Sequence, residues 1–442
     1  MELFLAFSIG TLAGIITGCL PGIGTLSFLL ICYPFLLQFD PIPLAICWVC
    51  SATISQYFGS VTGILFGIPG ENSSLPSVKE GIALTSKNQV KEALLKTALG
   101  SFVGGMSCAL LVLLCIPLAT HFYQLLTTPV KGILILVATC SLISVCDNRW
   151  YTNLLLIFAG LILGKVGYNW GTAETFGTFG FTQLFGGIPV LPLMTALFTF
   201  PLLLQSPGKP TSKVSMKIEF KDYWPYTVMM IKHRWQLLRG SAFGFISGFI
   251  PGMTYMVGSY LAYSNEKKLE INKKTYETGN MNCLVSSETA NNGGAFSQVI
   301  PFLILGIPVA ASEAFLYNML EMKGIIVTDK FLFSLLYGVT IAAILCNFLG
   351  VIFAGRYANF FANALKLDNK KFYVGIGLFL VIMCMYVGYT QFAFGLYMSV
   401  LVILLPFGYL MRKLDTMPLI FAFVMSDRIR EVGGQIMASY IL

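Results

Sequence analysis

Few side chains in this sequence are equipped for chemistry, and they gather in two stretches. The first holds Ser51, Thr53, Ser55, Gln56, Ser60 and Thr62, followed by Pro69-Gly70-Glu71-Asn72-Ser73-Ser74. The second holds Ser286, Ser287, Glu288, Asn291, Asn292 and Ser297, followed by Pro308. Both lie in apolar surroundings, where ionisable and amide groups are costly and are kept for function or for pairing. As a carboxylate, Glu288 can ligate a cation, and its titration can carry a proton. The competing role is a Glu at an aqueous mouth near Asn282. For each hydroxyl the competing role is a helix–helix hydrogen bond. The segment Pro21-Gly22-Ile23-Gly24-Thr25-Leu26-Ser27 offers a different chemistry. A Pro-Gly turn before a small-residue helix start presents unpaired N–H groups and a positive dipole end, which suit a small anion such as a carboxylate. Gly59-Ser60 permits a similarly close approach, or serves packing.

Other reaction types lack their residues. Two histidines, His121 and His233, exclude a histidine-rich metal site. Of the 11 cysteines, most lie in apolar runs, where Cys acts as a small apolar residue. Cys47 and Cys50 form a C-x-x-C with no second pair, which reads as structural. No Ser/His, Cys/His or H-E-x-x-H arrangement lies in the apolar segments, so the chain is not read as an enzyme.

The elements that position these residues follow from composition. Of 442 residues, 56% are hydrophobic and 11% charged, and mean hydropathy is +0.77. A soluble chain carries about 25% charged residues, so this one is solvated by lipid and nucleic-acid binding is not expected. A spanning helix needs about 20 mostly apolar residues. Candidates are 43–70, 97–118, 131–146, 152–167, 184–205, 283–308, 331–354, 372–389, 391–411 and 416–440. Two more apolar stretches, 3–38 and 240–263, are interrupted by Pro-Gly. The expected fold is all-α: a polytopic membrane protein with about ten spanning helices and two Pro-Gly re-entrant hairpins. An ordinary kinked span is the alternative at each hairpin.

Lys and Arg concentrate in 79–96, 207–239, 264–282 and 355–371, and none precedes Lys79. The positive-inside rule puts those four segments in the cytoplasm and the N-terminus outside. The stretch 168–183, with Glu174 and no base, falls outside. Lys131 and Lys165 read as snorkelling near span ends. Asp427-Arg428-Ile429-Arg430-Glu431 reads either as an internal ion-pair network or as a helix end at the surface. Residues 223–239 mix Trp224, Tyr226 and Trp235 with Lys232 and Arg234, as in a segment lying on a leaflet.

The chain also repeats itself. Gly14-x-x-x-Gly18-x-x-Pro21-Gly22 recurs 230 positions later as Gly244-x-x-x-Gly248-x-x-Pro251-Gly252. Gly67-Ile68-Pro69 recurs 239 positions later as Gly306-Ile307-Pro308. This divides the chain into a first transmembrane repeat over 1–206, a basic connector over 207–239 and a second repeat over 240–442. With the first copy starting outside and the second inside, the repeats are inverted, a plan that suits alternating access to a midplane site.

These motifs resemble those of the TctA family, the large membrane subunit of tripartite tricarboxylate transporters. Gly14 to Gly24 is similar to its G-x-x-x-G-x-x-P-G-x-G motif, and Gly59-Ser60 with Gly67-Ile68-Pro69-Gly70 to its G-G-S and I-P-G elements. Glu80-Gly81, Lys91 to Leu94 and Gly160 to Gly167 follow further motifs. Glu288-Thr289-Ala290-Asn291-Asn292, then Pro301 and Leu305 to Pro308, resembles its E-x-A-N-N…P…L-G-I-P signature. The second copy departs from the pattern at Met253-Thr254 and Val309, and Phe176 stands near an expected base. The resemblance implies ion-driven uptake of small organic carboxylates, with a small membrane subunit and a periplasmic solute-binding protein as partners. Carried over by position, Gly22, Gly24, Thr25, Gly59, Ser60, Pro69, Gly70, Asn72, Ser73, Pro251, Gly252, Asn291, Asn292 and Pro308 would line the substrate path. Glu288, Ser287 and Asn291 would couple Na⁺ or H⁺, with no other cofactor. A passive anion channel and an intramembrane or lipid-handling enzyme are the alternatives, and homo-oligomer formation is left open.

Overall fold

The computed structural model describes the chain except residues 20–23, 67–71, 119–126, 146–147, 170–173, 205–217, 251–254, 270–278, 309, 324–328, 357–368 and 442. It is an all-α polytopic membrane protein. Helices α1 (Glu2–Cys19) and α2 (Thr25–Ile31) are followed by α3 (Pro41–Phe66), α4 (Leu75–Ser86), α5 (Val90–Cys115), α6 (Thr128–Val145) and α7 (Trp150–Lys165). The next helix, α8, is assembled from Val190–Met194, a π-wound turn at Thr195–Thr199, and Phe200–Leu204. After α9 (Phe220–Met230) and a tight turn at Ile231–His233 come α10 (Arg234–Phe249), α11 (Tyr255–Leu269), α12 (Met281–Ser297) and α13 (Val299–Leu305). The chain ends with α14 (Ala311–Met322), α15 (Asp329–Arg356), α16 (Asn369–Thr390), α17 (Phe394–Leu410) and α18 (Met417–Ile441).

Four helices in the described residues are long and apolar enough to cross a membrane: Glu2–Cys19, Pro41–Leu65, Val90–Cys115 and Phe331–Arg356. Shorter apolar helices lie over most of the remaining expected spans. Two details were not anticipated. The expected span 184–205 starts late, because Thr182–Gly186 is a 3-10 turn and α8 begins only at Val190. A small antiparallel hairpin, β1 (Gly167–Asn169) and β2 (Glu174–Phe176), also follows α7. The span expected at 283–308 is likewise two helices, α12 and α13, meeting at Gln298. Gly306, at φ +67°, ends α13 in the left-handed conformation that glycine tolerates.

The repeated glycines have one job: close helix approach. A Cβ on Gly14 would come within 2.7 Å of the Ser51 carbonyl of α3, and on Gly18 within 2.6 Å of the Ser55 carbonyl. A Cβ on Gly240 would lie 2.6 Å from the Ser286 carbonyl of α12, and on Gly244 2.6 Å from that of Ala290. Small residues let backbones touch where lipid supplies no hydrophobic drive. The two sets of partners are again 239 positions apart, since Gly10 meets Cys47 as Gly240 meets Ser286. The element order repeats too, with α3 recurring as α12 plus α13 and α5 as α15. The packing is exchanged: α3 lies on α15, and its counterpart α12 lies on α5.

Both Pro-Gly turns, at 20–23 and 251–254, fall outside the described residues, but their flanks are clear. Glu2 accepts a hydrogen bond from the Asp40 backbone at 2.7 Å, so residues 2–40 return to where they began. Arg239, early in α10, pairs with Glu266, late in α11, at 2.6 Å. Ser247, late in α10, faces Gly258, early in α11. Helix α3, with 26 residues, is about 39 Å long and links two opposite ends of the molecule. One end gathers Glu2, Leu37 and Lys323, the last donating to the Leu37 carbonyl at 2.7 Å. The other gathers Lys91 with Asp222, Lys96 with His233, Arg239 with Glu266, and Arg356 beside Phe220.

Candidate transport site

Helix α12 carries the site and is buried along nearly its whole length. Two features allow that. Its first turn is capped by Asn280, whose side chain accepts from the backbone N–H groups of Asn282 and Cys283. Its surroundings are trimmed with glycine: a Cβ on Gly100 would come within 3.0 Å of the Thr289 hydroxyl, and Gly104 and Gly240 also press on Thr289. The N-terminus of α12 is also held by Glu80 of α4, a fully buried carboxylate. Glu80 accepts from the Gly279 and Asn280 N–H groups at 2.9 and 2.6 Å and from the Tyr263 hydroxyl at 3.0 Å. A negative group at a helix N-terminus is favourable for the dipole.

Glu288 is fully buried. Its Oε2 accepts from Ser60 of α3 at 2.5 Å and from Ser101 of α5 at 3.5 Å. Ser77 of α4 and Ser287 share a hydrogen bond of 3.0 Å. Asn291 donates to Gln56 of α3 at 2.9 Å, and Ser73 donates to the same Gln56 oxygen at 3.5 Å. Asn292 donates to the Glu288 carbonyl one turn back at 3.4 Å. Ser60 thus meets Glu288 directly, Ser73 and Asn291 share Gln56, and Ser287 is tied to Ser77. Glu288 makes no ion pair with any described base, and it lies within the bundle, not at an aqueous mouth.

The unsatisfied atoms set the chemistry. Glu288 Oε1, Asn291 Oδ1, Asn292 Oδ1 and Gln298 Oε1 are buried without a hydrogen-bond partner, as are the Ser51 and Ser286 hydroxyls. Positions 288, 291, 292 and 298 lie close to one face of α12 and its continuation. Orphaned buried acceptors are costly, and a row of oxygens is the donor set preferred by a hard cation.

Other expected residues sit elsewhere. Gly24 and Thr25 begin α2, which packs on α1, α3, α14 and α16, and a Cβ on Gly24 would meet nothing within 4 Å. Gly59 is buried, and its carbonyl accepts from Thr62 at 2.9 Å. Pro308 is buried beyond the end of α13. Gly22, Pro69, Gly70, Pro251 and Gly252 lie outside the described residues, as does the side chain of Asn72. Two participants were not anticipated, Ser77 and Ser101. Ser101 had a signal in hindsight: it stands between Gly100 and Gly104, the glycines that admit α12.

A separate cavity of about 390 Å³ opens at the ends of α7, α14 and α18, beside the β hairpin. Its rim holds Lys165, Glu174, Glu321, Asp427 and Arg430. The Lys165 ammonium lies 4.5 Å from the Phe176 ring centre. Asp427 pairs with Arg430 at an exposed position in the middle of α18, so the pair is on a helix surface but not at a helix end.

The family model described as tripartite tricarboxylate transporter TctA family matches residues 4–421. The chain belongs to this family. It is therefore a transporter component and not a member of an enzyme family. An uncharacterized 52.8 kDa protein from the TAR-I ttuC' 3' region of Agrobacterium vitis is 26% identical over 96% of this chain and 84% of its own. An uncharacterized protein from the TAR-II ttuC' 3' region of the same organism is 25% identical over 42% of this chain and 78% of its own. No solved structure matches the chain. Membership of a tripartite family implies a solute-binding protein and a small membrane subunit as partners.

Proposed function

We propose that this TctA-family chain imports small organic carboxylates, of tricarboxylate or dicarboxylate type, by alternating access coupled to Na⁺ or H⁺ at Glu288. A periplasmic solute-binding protein delivers the substrate, and the chain works in the bacterial inner membrane with its N-terminus outside. Residues 1–206 and 240–442 act as inverted repeats joined by a connector over 207–239. The observation that carries this reading is Glu288 itself. It is buried on α12 and bonded to Ser60 and Ser101 from the other half of the chain. Its Oε1 has no hydrogen-bond partner, and neither do the side-chain oxygens of Asn291 and Asn292, one turn along α12. A site built across two halves is remade whenever the halves move, as coupling requires.

The inverted arrangement is supported by the two ends of the molecule. Helix α1 starts beside Asp40, at the end with Lys323. Its counterpart α10 starts at the opposite end, with Lys96, His233 and Glu266. Among the described residues that second end gathers Lys91, Lys96, Arg239 and Arg356, as expected for a cytoplasmic face.

The test is uptake into proteoliposomes with the partner subunits. Accumulation against a gradient is expected, and Glu288→Gln should abolish it while the protein stays folded in the membrane. Downhill flux alone would favour a channel, and normal uptake by Glu288→Gln would remove Glu288 from the coupling site.

A further inference from the structure

The transport reading leaves one surface unused, the outer side of α9 and α10. Phe220, Trp224, Val228, Ile231, Trp235 and Leu238 are each more than half exposed. They are spaced four, four, three, four and three residues apart, which places them on one stripe of a continuous helical run. The opposite side faces protein. Asp222 pairs with Lys91 of α5 at 2.8 Å, the Tyr223 hydroxyl donates to the Ile352 carbonyl at 3.2 Å, and Met230 is buried. The run therefore lies along the body of the molecule with its apolar stripe turned outward. Lys232, Arg234 and Arg356 are exposed around it, and none has a carboxylate at ion-pair distance among the described residues. The Arg234 guanidinium lies 5.9 Å from the Trp235 ring centre, and that of Arg356 4.7 Å from Phe220. An apolar stripe with Trp and unneutralised bases fits an anionic leaflet surface.

The same run touches the transport helix. His233, in the turn between α9 and α10, accepts from the Lys96 ammonium at 3.0 Å. Its other ring nitrogen meets the Asn282 side-chain oxygen at 3.0 Å, in the first turn of α12. Lys96 is anchored in turn by Glu92 at 2.7 Å.

We propose that α9, the Ile231–His233 turn and α10 form a seat for anionic phospholipid headgroups of the adjacent leaflet, and that a filled seat holds the N-terminus of α12 in place through His233. Each unpaired base beside an anionic leaflet contributes about a fivefold preference.

The test uses the full chain in vesicles of phosphatidylcholine, with or without phosphatidylglycerol. Brominated phosphatidylglycerol should quench tryptophan fluorescence more than brominated phosphatidylcholine, and Trp224→Phe/Trp235→Phe should remove the difference. Lys232→Gln/Arg234→Gln/Arg356→Gln should lower the phosphatidylglycerol preference on the order of a hundredfold. Alkylation of Cys283, buried one residue after Asn282, should slow when phosphatidylglycerol is present. His233→Ala should keep the lipid preference and lose that protection. Equal quenching by both lipids, or an unchanged preference in the triple variant, would overturn the headgroup seat. Absence of quenching by either lipid would give the stripe to a protein partner and overturn it too. Cys283 alkylation indifferent to lipid would overturn the transmission. None of these readouts depends on uptake.

Discussion

Helices α3 and α12 occupy equivalent places, yet only one carries a carboxylate. Where α12 has Glu288, Asn291 and Asn292, α3 has Val49, Ala52 and Thr53. Where α3 has Gln56 and Ser60, the second copy has Ala295 and Val299. The glycine seams that seat the two helices match position for position. The frame is duplicated and the chemistry is not. A duplicated frame suits two arrangements of similar energy, which the proposed alternating access would use. On the proposed reading the one carboxylate of this helix pair serves as the coupling site, and a second beside it would bring like charge and a further desolvation cost. The two hairpins diverge in the same way. Arg239 and Glu266 pin the second, and the corresponding first-copy positions hold Ile9 and Leu36.

The comparison can be broken at several points. The largest effect is expected for Glu288→Gln, which should abolish coupled uptake without loss of fold. Next come Glu266→Ala and its repair. Glu266 is 2% exposed and Arg239 31%, so leaving Arg239 unpaired should cost about 2–3 kcal/mol, at the lower end for a broken buried pair because of that exposure. Arg239→Ile/Glu266→Leu, which copies the first hairpin, should recover most of that in thermal denaturation. A double variant no better than the single one would show that the hairpins are not interchangeable.

Gly14→Leu and Gly244→Leu should each lower stability by about 1–3 kcal/mol, the cost of overpacking a close seam. Similar losses would support equivalent seams, and a tolerated leucine at either place would end the equivalence. Ser60→Ala should cost about 1–2 kcal/mol, because it removes a hydrogen bond to a charged or acidic partner. Restoration by Ser60→Thr would confirm that the hydroxyl is the active part.

The smallest effect concerns pH. Burial, and then the Lys96 ammonium, hold the His233 imidazole below its usual pKa. Asn282 and Glu92 favour the protonated ring, and Lys232 opposes it. The fold therefore prefers neutral His233. Its contribution is complete above the unfolded histidine pKa of about 6.5 and declines as the pH falls below it. Thermal midpoints should drop more between neutral and mildly acidic pH in the native chain than in His233→Gln. Equal drops would remove His233 as a source of the dependence.

Much of this could be read before any fold was known. Apolar runs gave the helices, and fixed offsets of Gly and Pro gave the duplication, because both signals are local or periodic. Glu288, Asn291 and Asn292 stood out because polar groups in lipid are costly. Ser77 and Ser101 did not, since a serine in a membrane helix is ordinary until a carboxylate is placed against it. The π-wound turn in α8 and the β hairpin after α7 left no periodic mark either. Asp427 and Arg430 gave two readings because helix periodicity alone cannot tell a bundle interior from its rim.

The sequence by itself determined that this protein lives in lipid, is helical, repeats a Gly/Pro frame and carries Glu288 in an apolar stretch. Those follow from composition and repetition along the chain. Only the tertiary structure decided that α12 lies on α5 of the other half as well as on α10 and α11 of its own, and that Ser60 reaches Glu288 across 228 positions. Contacts at such separations depend on how glycine seams let whole helices dock, and no local pattern encodes that docking.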